Sequence, residues 1–264
     1  MTNLTRAWVQ RTIDWVFFIP FCGALLLAIR LLVRYSVENE SELKRQYREL
    51  TDQTSPPLIV CSNHMTYIDS IVLHYAFGNH WWYWFHFRRL MWNLPASDYR
   101  SNPFFALVCF LSKCIFINRT GSKGHKDQVI TLARDLLERG ETLTVFVEGR
   151  RTRIGRFDDR KLAYGVGKII RGLPACRVLC CYLRAPGQRE AVPLPPKGAK
   201  FRLYTELLHF ETPAGRPPEM VARVTTQIAE TIKRLESRYV AETGETLPPM
   251  PEGPPRPAKG DVQP

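Results

Sequence analysis

Residues 57–70 read Pro-Leu-Ile-Val-Cys-Ser-Asn-His-Met-Thr-Tyr-Ile-Asp-Ser. Leu58 to Cys61 is a short apolar run entered from Pro56-Pro57, the pattern of a buried strand. The run delivers Asn63 and His64 to its end, and Asp69 follows His64 with four residues between them. Imidazole titrates near neutral pH, so His64 can accept a proton during a reaction. A carboxylate on its other ring nitrogen would fix the tautomer and stabilise the imidazolium that forms. The same letters carry a purely structural reading, because Thr66-x-x-Asp69 ahead of an apolar run is also a capping box, with Thr66 at the N-cap and Asp69 at N3.

A second polar loop shifts the balance towards chemistry. Phe146-Val147-Glu148-Gly149-Arg150-Arg151 again sits directly after an apolar run, Thr142 to Val147. In open α/β sheets ligands gather at the carboxyl ends of strands, so both loops can line one crevice. The expected fold is therefore α/β: a single domain with a central mixed sheet flanked by helices, plus an N-terminal membrane-associated helical segment.

At these motifs the chain resembles the glycerolipid acyltransferases, the family typified by 1-acylglycerol-3-phosphate acyltransferase. Its members carry Asn-His-x-Ser-x-x-Asp, Phe-x-x-Arg and Phe-Pro-Glu-Gly-Thr-Arg in that order. The matching stretches here are Asn63 to Asp69, Phe116-Ile117-Asn118-Arg119 and Phe146 to Arg151, within roughly residues 55 to 185. The chain departs from the pattern at Val147 for proline, at Arg150 for threonine, and at Arg177 to Tyr182, where the family has a Val-Pro-containing strand.

The resemblance implies transfer of an acyl group from acyl-CoA or acyl carrier protein to the hydroxyl of a lysophospholipid. The acceptor it suggests is 1-acylglycerol 3-phosphate, giving phosphatidic acid. The acceptor's own hydroxyl would attack, so no serine or cysteine nucleophile is needed. His64 is then the general base and Asp69 its orienting carboxylate, with Asn63 helping to position the loop. Arg119, Glu148, Gly149 and Arg151 are the substrate-binding candidates. Arg119 and Arg151 would take the phosphate, while Glu148 supports an arginine or the loop backbone rather than serving as a second base. Backbone amides near Gly149 or in the Cys180 strand are the oxyanion candidates. No cofactor and no metal is expected, since the six histidines show no ligand pattern. Another acceptor (a different lysophospholipid, glycerol 3-phosphate or an aminolipid) keeps the same chemistry. A non-catalytic protein binding anionic lipid is a reading from a different class.

The 264 residues, 45% of them hydrophobic, suffice for one domain with a substantial core. A net charge of +12 implies an anionic partner. Nucleic acid is disfavoured by the tryptophans Trp81, Trp82, Trp84 and Trp92, which stand beside His86, Arg88 and Arg89 as at a membrane interface. Seven cysteines without a Cys-x-x-Cys pair argue against a disulfide framework or zinc ribbon. Cys61, Cys109, Cys114, Cys176, Cys180 and Cys181 lie in apolar runs and read as small core residues. Cys61 as a nucleophile lacks a neighbour that would lower its pKa.

Three segments are expected: 1–36 as a hydrophobic membrane-anchoring segment, 37–245 as the acyltransferase domain, and 246–264 as a proline-rich disordered tail. The dense apolar part from Trp15 to Ile29 falls short of the ~20 residues that span a bilayer. With Asp14 and Pro20 inside or beside it, it reads as a monotopic or re-entrant anchor flanked by arginines. The expected location is the cytoplasmic face of a membrane, the inner one in a bacterium. Oligomeric state stays open. Between the motifs the pattern predicts a polar helix over 37–54, helices over 67–77, 103–110, 126–139, 162–170 and 217–240, and strands over 81–87, 113–118, 176–183 and 200–208. The loop carrying Arg150, Arg151, Arg153, Arg156, Arg160 and Lys161 can hold phosphate with guanidinium forks or face anionic lipid as a basic surface.

Overall fold

The computed structural model describes residues 3–52, 56–119, 121–188, 192, 194–211 and 216–253. Strands β1 (Ser36–Val37), β2 (Leu58–Ser62), β3 (Trp92–Asn93), β4 (Leu143–Phe146), β5 (Ala175–Arg184) and β6 (Lys200–Glu211) form one sheet in the order β1-β6-β5-β2-β4-β3. β5, β2, β4 and β3 run parallel, and β6 pairs antiparallel with β5, so the sheet is mixed. The helices are α1 (Asn3–Ala28), α2 (Glu40–Asp52), α3 (Asp69–Phe77), α4 (His80–Phe85), α5 (Pro103–Phe110), α6 (Lys123–Glu138), α7 (Gly165–Ile170) and α8 (Pro217–Thr243).

Alternation along the central strands sorts side chains into two cores. Ile59 and Cys61 of β2, with Cys176, Val178, Cys180 and Tyr182 of β5, face α6, α7 and α8. Leu58 and Val60, with Leu179, Cys181 and Leu183, face Phe18 of α1 and helices α2, α3 and α4. Every residue of β2 is buried, which is why the strand reads as an unbroken apolar run. The inward face expected for the last helix is observed, with Val221, Val224, Ile228, Ile232 and Leu235 all buried in α8. Gly167 lets α7 lie against α8, since a Cβ there would stand 2.5 Å from the Val221 carbonyl oxygen. Cys61 is a core residue whose thiol burial pushes far up, so the thiolate a nucleophile needs is suppressed.

Two expected strands turn out otherwise. The aromatic block 81–87 forms α4 followed by a short 3₁₀ turn, Phe87–Arg89. The Asn79 side chain caps this helix by accepting the Trp82 N–H, and only Tyr83 of the helix is buried. Residues 113–118 form an irregular parallel edge beside 93–97. It is held by backbone bonds Asn93 N–H to Lys113 O, Ile115 N–H to Asn93 O, Ile117 N–H to Pro95 O and Ser97 N–H to Ile117 O. Pro95 has no N–H to give, so the ladder is broken there into two isolated bridges, Asn93 with Cys114 and Ala96 with Ile117.

The N-terminal segment is packed onto the sheet domain. Ala7 joins one core and Phe18 the other, and β1 pairs in parallel with β6. No helix among the described residues is long and apolar enough to cross a membrane. The anchor of α1 is a buried charge cluster. Arg11 pairs with Glu141 at 2.8 Å, and Glu141 also accepts from Lys113 at 2.5 Å and from the Trp92 indole at 2.9 Å. Lys113 Nζ donates further to the Phe87 and Leu90 carbonyls.

Asp14 is fully buried beside this cluster, close to the Lys113 charge and backbone N–H. Burial pushes its carboxyl up to about 8, against the pull of the Lys113 charge. An unfolded aspartate titrates near about pH 4, so between about pH 4 and 8 the folded state holds the extra proton and stability falls as pH rises. Asp14→Asn should flatten that slope in urea titrations run at about pH 5 and about pH 8; a variant retaining the wild-type slope would assign the dependence elsewhere.

Candidate active site

Parallel β2 and β4 end together, in register Cys61 opposite Val145 and Ser62 opposite Phe146. Their polar elbows therefore leave the same edge of the sheet. The Asn63 side chain replaces a strand ladder one residue beyond β2: its amide donates to Leu183 O at 2.9 Å and accepts from Leu183 N–H at 2.8 Å. The end of β2 is thereby pinned to β5, and His64 starts from a fixed position.

His64 Nδ1 lies 2.9 Å from Asp69 Oδ2. The same oxygen accepts the Met65 N–H at 2.6 Å and the Thr66 N–H at 2.8 Å, while the Thr66 hydroxyl meets the other carboxylate oxygen. An acceptor of this kind at Nδ1 places the imidazole proton there and leaves the lone pair on Nε2. The ring stacks on Phe146 at 4.0 Å between centroids, and its side chain keeps 17% exposure, enough to meet a reactant. The capping reading survives in altered form. α3 begins at Asp69 itself and has no side-chain bond at its cap residue Ile68, but Asp69 still reaches back to the Thr66 N–H as a capping carboxylate does.

The two elbows are braced to each other by the backbone of His64. Its N–H donates to Glu148 Oε2 at 2.6 Å, and its carbonyl accepts the Thr152 N–H at 2.8 Å. Glu148 Oε1 accepts the Asp158 N–H at 2.9 Å. Burial raises the Glu148 carboxyl well above the usual range, and the two backbone donors oppose that shift. Glu148, expected among the substrate-binding residues, thus commits both oxygens to loop backbone. Gly149 turns the elbow with φ +64, and a Cβ there would stand 2.5 Å from the Ala163 Cβ. Of the oxyanion candidates, the Gly149 N–H is bonded to Phe146 O, and the Cys180 strand is paired on both sides, with β2 and β6.

Of the expected cations, Arg151 reaches the histidine loop: its guanidinium carbon sits 3.5 Å from the centre of the Tyr67 ring. Arg119 is exposed beyond the edge at 113–118, on the same carboxyl side of the sheet. At about 4.8 Å per strand it stands roughly 10 Å from β4 and roughly 14 Å from β2 in the sheet direction. Several arginines of the basic loop are spent internally. Arg150 and Arg160 pair with Asp158, and Arg156 pairs with Glu236. Arg156 and Arg160 also donate to the carbonyls of Pro248, Pro251 and Gly253, so the first part of the proline-rich tail runs along this loop; 254–264 lies outside the described residues.

Sequence reasoning missed Tyr67, Phe146, Asp158 and Arg184 as parts of the site. Arg184 is buried under it, donating to Gly155 O at 2.6 Å and pairing with Glu245 at 3.0 Å. Tyr67 and Phe146 lay inside the quoted motifs, where an aromatic next to a polar catalytic residue was the available signal. Asp158 and Arg184 had none.

A histidine oriented by a carboxylate, with an arginine held on Tyr67 of the same loop, is an arrangement that can act as a general base on a hydroxyl. A family model described as Acyltransferase matches residues 34–184, and the chain belongs to that family, the glycerolipid acyltransferases that include the 1-acylglycerol-3-phosphate acyltransferases. Comparison with curated proteins gives no match.

Two outcomes follow from this geometry. Asp69→Asn keeps the shape but can present an N–H to Nδ1, reversing the tautomer; single-turnover acyl transfer should slow by about 10³ to 10⁴, as for other histidine–carboxylate pairs. Gly149→Ala must displace Ala163 and hold a left-handed φ. It should lower the unfolding free energy by about 1 to 3 kcal/mol, and a wild-type urea midpoint would show that the elbow relaxes freely.

Proposed function

We propose that the chain transfers a fatty acyl group from acyl-CoA or acyl carrier protein to the hydroxyl of 1-acylglycerol 3-phosphate, giving phosphatidic acid. The observation that carries this reading is the His64–Asp69 pair with Arg151 resting on Tyr67, three residues from His64. His64 Nε2 removes the proton of the acceptor hydroxyl as its oxygen attacks the thioester carbonyl. The C–S bond then breaks, and the departing thiolate takes the proton back from the imidazolium, so one hydroxyl proton is exchanged for one thiol proton. Asp69 supports the imidazolium through the step.

Arg151, with Arg119 further along the same edge, holds the acceptor's phosphate. That contact fixes the attacking oxygen near Nε2 and lowers the entropic part of the barrier. A separation of roughly 10 Å between β4 and the exit of Arg119 is within the combined reach of two arginine side chains and a phosphate. The protein works at the cytoplasmic face of a membrane, where both acceptor and product reside. The exposed apolar side chains of α1 favour this placement, Val16 and Leu27 among them.

The test is thioester consumption by detergent-solubilised protein across an acceptor panel of 1-acylglycerol 3-phosphate, other lysophospholipids, glycerol 3-phosphate and an aminolipid. Wild type should turn over with 1-acylglycerol 3-phosphate, His64→Ala should lose about four orders of magnitude, and Arg151→Ala should raise the acceptor KM more than it lowers kcat. Turnover with a different acceptor would reassign the substrate, and full activity in His64→Ala would overturn the mechanism.

A further inference from the structure

A second concave feature lies away from the site described above. Arg11, Trp15, Trp84, Phe85, Arg88 and Arg89 help line a cleft of about 390 Å³ between α1 and the α4 segment. The pairing of Arg11 with Glu141 puts it at the entrance of β4, whereas His64 and Gly149 stand at the strand exits. The cleft and the candidate active site therefore occupy opposite edges of the sheet.

Its chemistry is specific in three respects. First, its aromatic wall is built rather than incidental: Trp15 stacks on Trp84 at 4.6 Å and 22°, and the Trp15 indole N–H donates to Trp84 O at 3.1 Å. Second, its cations divide into two kinds. Arg11 belongs to the buried cluster, paired with Glu141 and lying over the Trp8 and Phe87 rings. Arg88 is exposed and Arg89 half-exposed, and among the described residues neither is paired with a carboxylate. Third, apolar side chains flank the charged pair in the open: Phe85 is 76% exposed and Trp81 57%, with Val16 and Phe17 of α1 about half exposed. Unpaired guanidinium groups beside stacked indoles, ringed by exposed phenylalanine and tryptophan, match a molecule that is anionic at its head and apolar behind it.

We propose that this cleft is a headgroup site for an anionic phospholipid of the bilayer, separate from the acceptor site, in which Arg88 and Arg89 take the phosphate while Phe85, Trp81 and the outer residues of α1 enter the acyl region. Charge complementarity commits the site to a headgroup of net negative charge rather than a zwitterionic one, whose phosphate already carries its own cation. It stands independently of the acyl-transfer reading, because nothing in it involves His64.

The experiment is co-sedimentation of the full chain with vesicles of phosphatidylcholine alone or with phosphatidylglycerol added, comparing wild type, Arg88→Ala/Arg89→Ala, Arg88→Lys/Arg89→Lys and the control Lys168→Ala/Arg171→Ala on and just after α7. With each cation near an anionic surface contributing about 1 kcal/mol, the double alanine variant should lose about thirtyfold in partition to phosphatidylglycerol vesicles. It should change little towards phosphatidylcholine, and the lysine pair should restore most of the loss. Partition of His64→Ala like wild type, even if no acceptor is ever turned over, would keep this inference while the catalytic one fails. Wild-type partition in the double alanine variant, or an equal loss in the α7 control, would overturn it in favour of diffuse surface charge or no site. Should the double variant show a lowered melting temperature, Arg88→Ala alone carries the test with about a fivefold loss, since its side chain is exposed.

Discussion

The Glu148 carboxylate joins three pieces of backbone that would otherwise be independent loops. One oxygen holds the N–H of His64 after β2, the other the N–H of Asp158 in the basic loop, and the residue itself sits in the elbow after β4. A buried carboxylate must be given donors, and here the donors are the backbone groups whose positions the site depends on. The connection continues outwards. Asp158 takes Arg150 and Arg160, and Arg160 takes carbonyls of the C-terminal residues 251 and 253. The placement of His64 is thus tied to residues 251 and 253 through Glu148, Asp158 and Arg160, by polar contacts alone.

Asp69 shows how little the structural and chemical readings of a motif compete. A carboxylate at the start of a helix satisfies backbone N–H groups and favours the positive end of the helix dipole. Those same bonds hold it still, and a carboxylate held still is what an imidazole needs as an orienting partner. The Met65 and Thr66 N–H groups and the Thr66 hydroxyl fix Asp69, and Asp69 fixes His64. The reading as a capping box and the reading as a catalytic pair therefore describe one set of bonds.

What could be read from the sequence was what has a short period. The buried run of β2, the heptad-like face of α8 and the α6 pattern closed by Gly140 at φ +79 follow from side-chain alternation and backbone preference alone. The segment 81–87 was misread because a block of aromatics favours strands by propensity, whereas Asn79 supplied a cap and the partner surfaces of α1 and α2 supplied packing for only one side. The basic loop was legible as charge and illegible as structure. Which arginine finds Asp158, which finds Glu236 and which lies over Tyr67 depends on contacts across as many as 84 residues, which no local pattern encodes. The buried cluster of Arg11, Lys113 and Glu141 is of the same kind: its members meet across 28 and 130 residues of chain.

That cluster also decides how the two edges of the sheet are related. α1 passes from Arg11 at the strand entrances towards β1, which pairs with the start of β6 at the strand exits. A helix of 26 residues is about 39 Å long, and its Arg11 and Trp15 line the aromatic cleft. Val9, Val16 and Leu27 fall at spacings that share one helix face, and all are exposed. Under the proposed function, such a face would lie in the plane of a bilayer rather than across it. The acceptor's phosphate would meet Arg151 at one edge of the sheet, and the cations proposed to bind lipid at the opposite edge would counter the tilt that a single point of attachment allows.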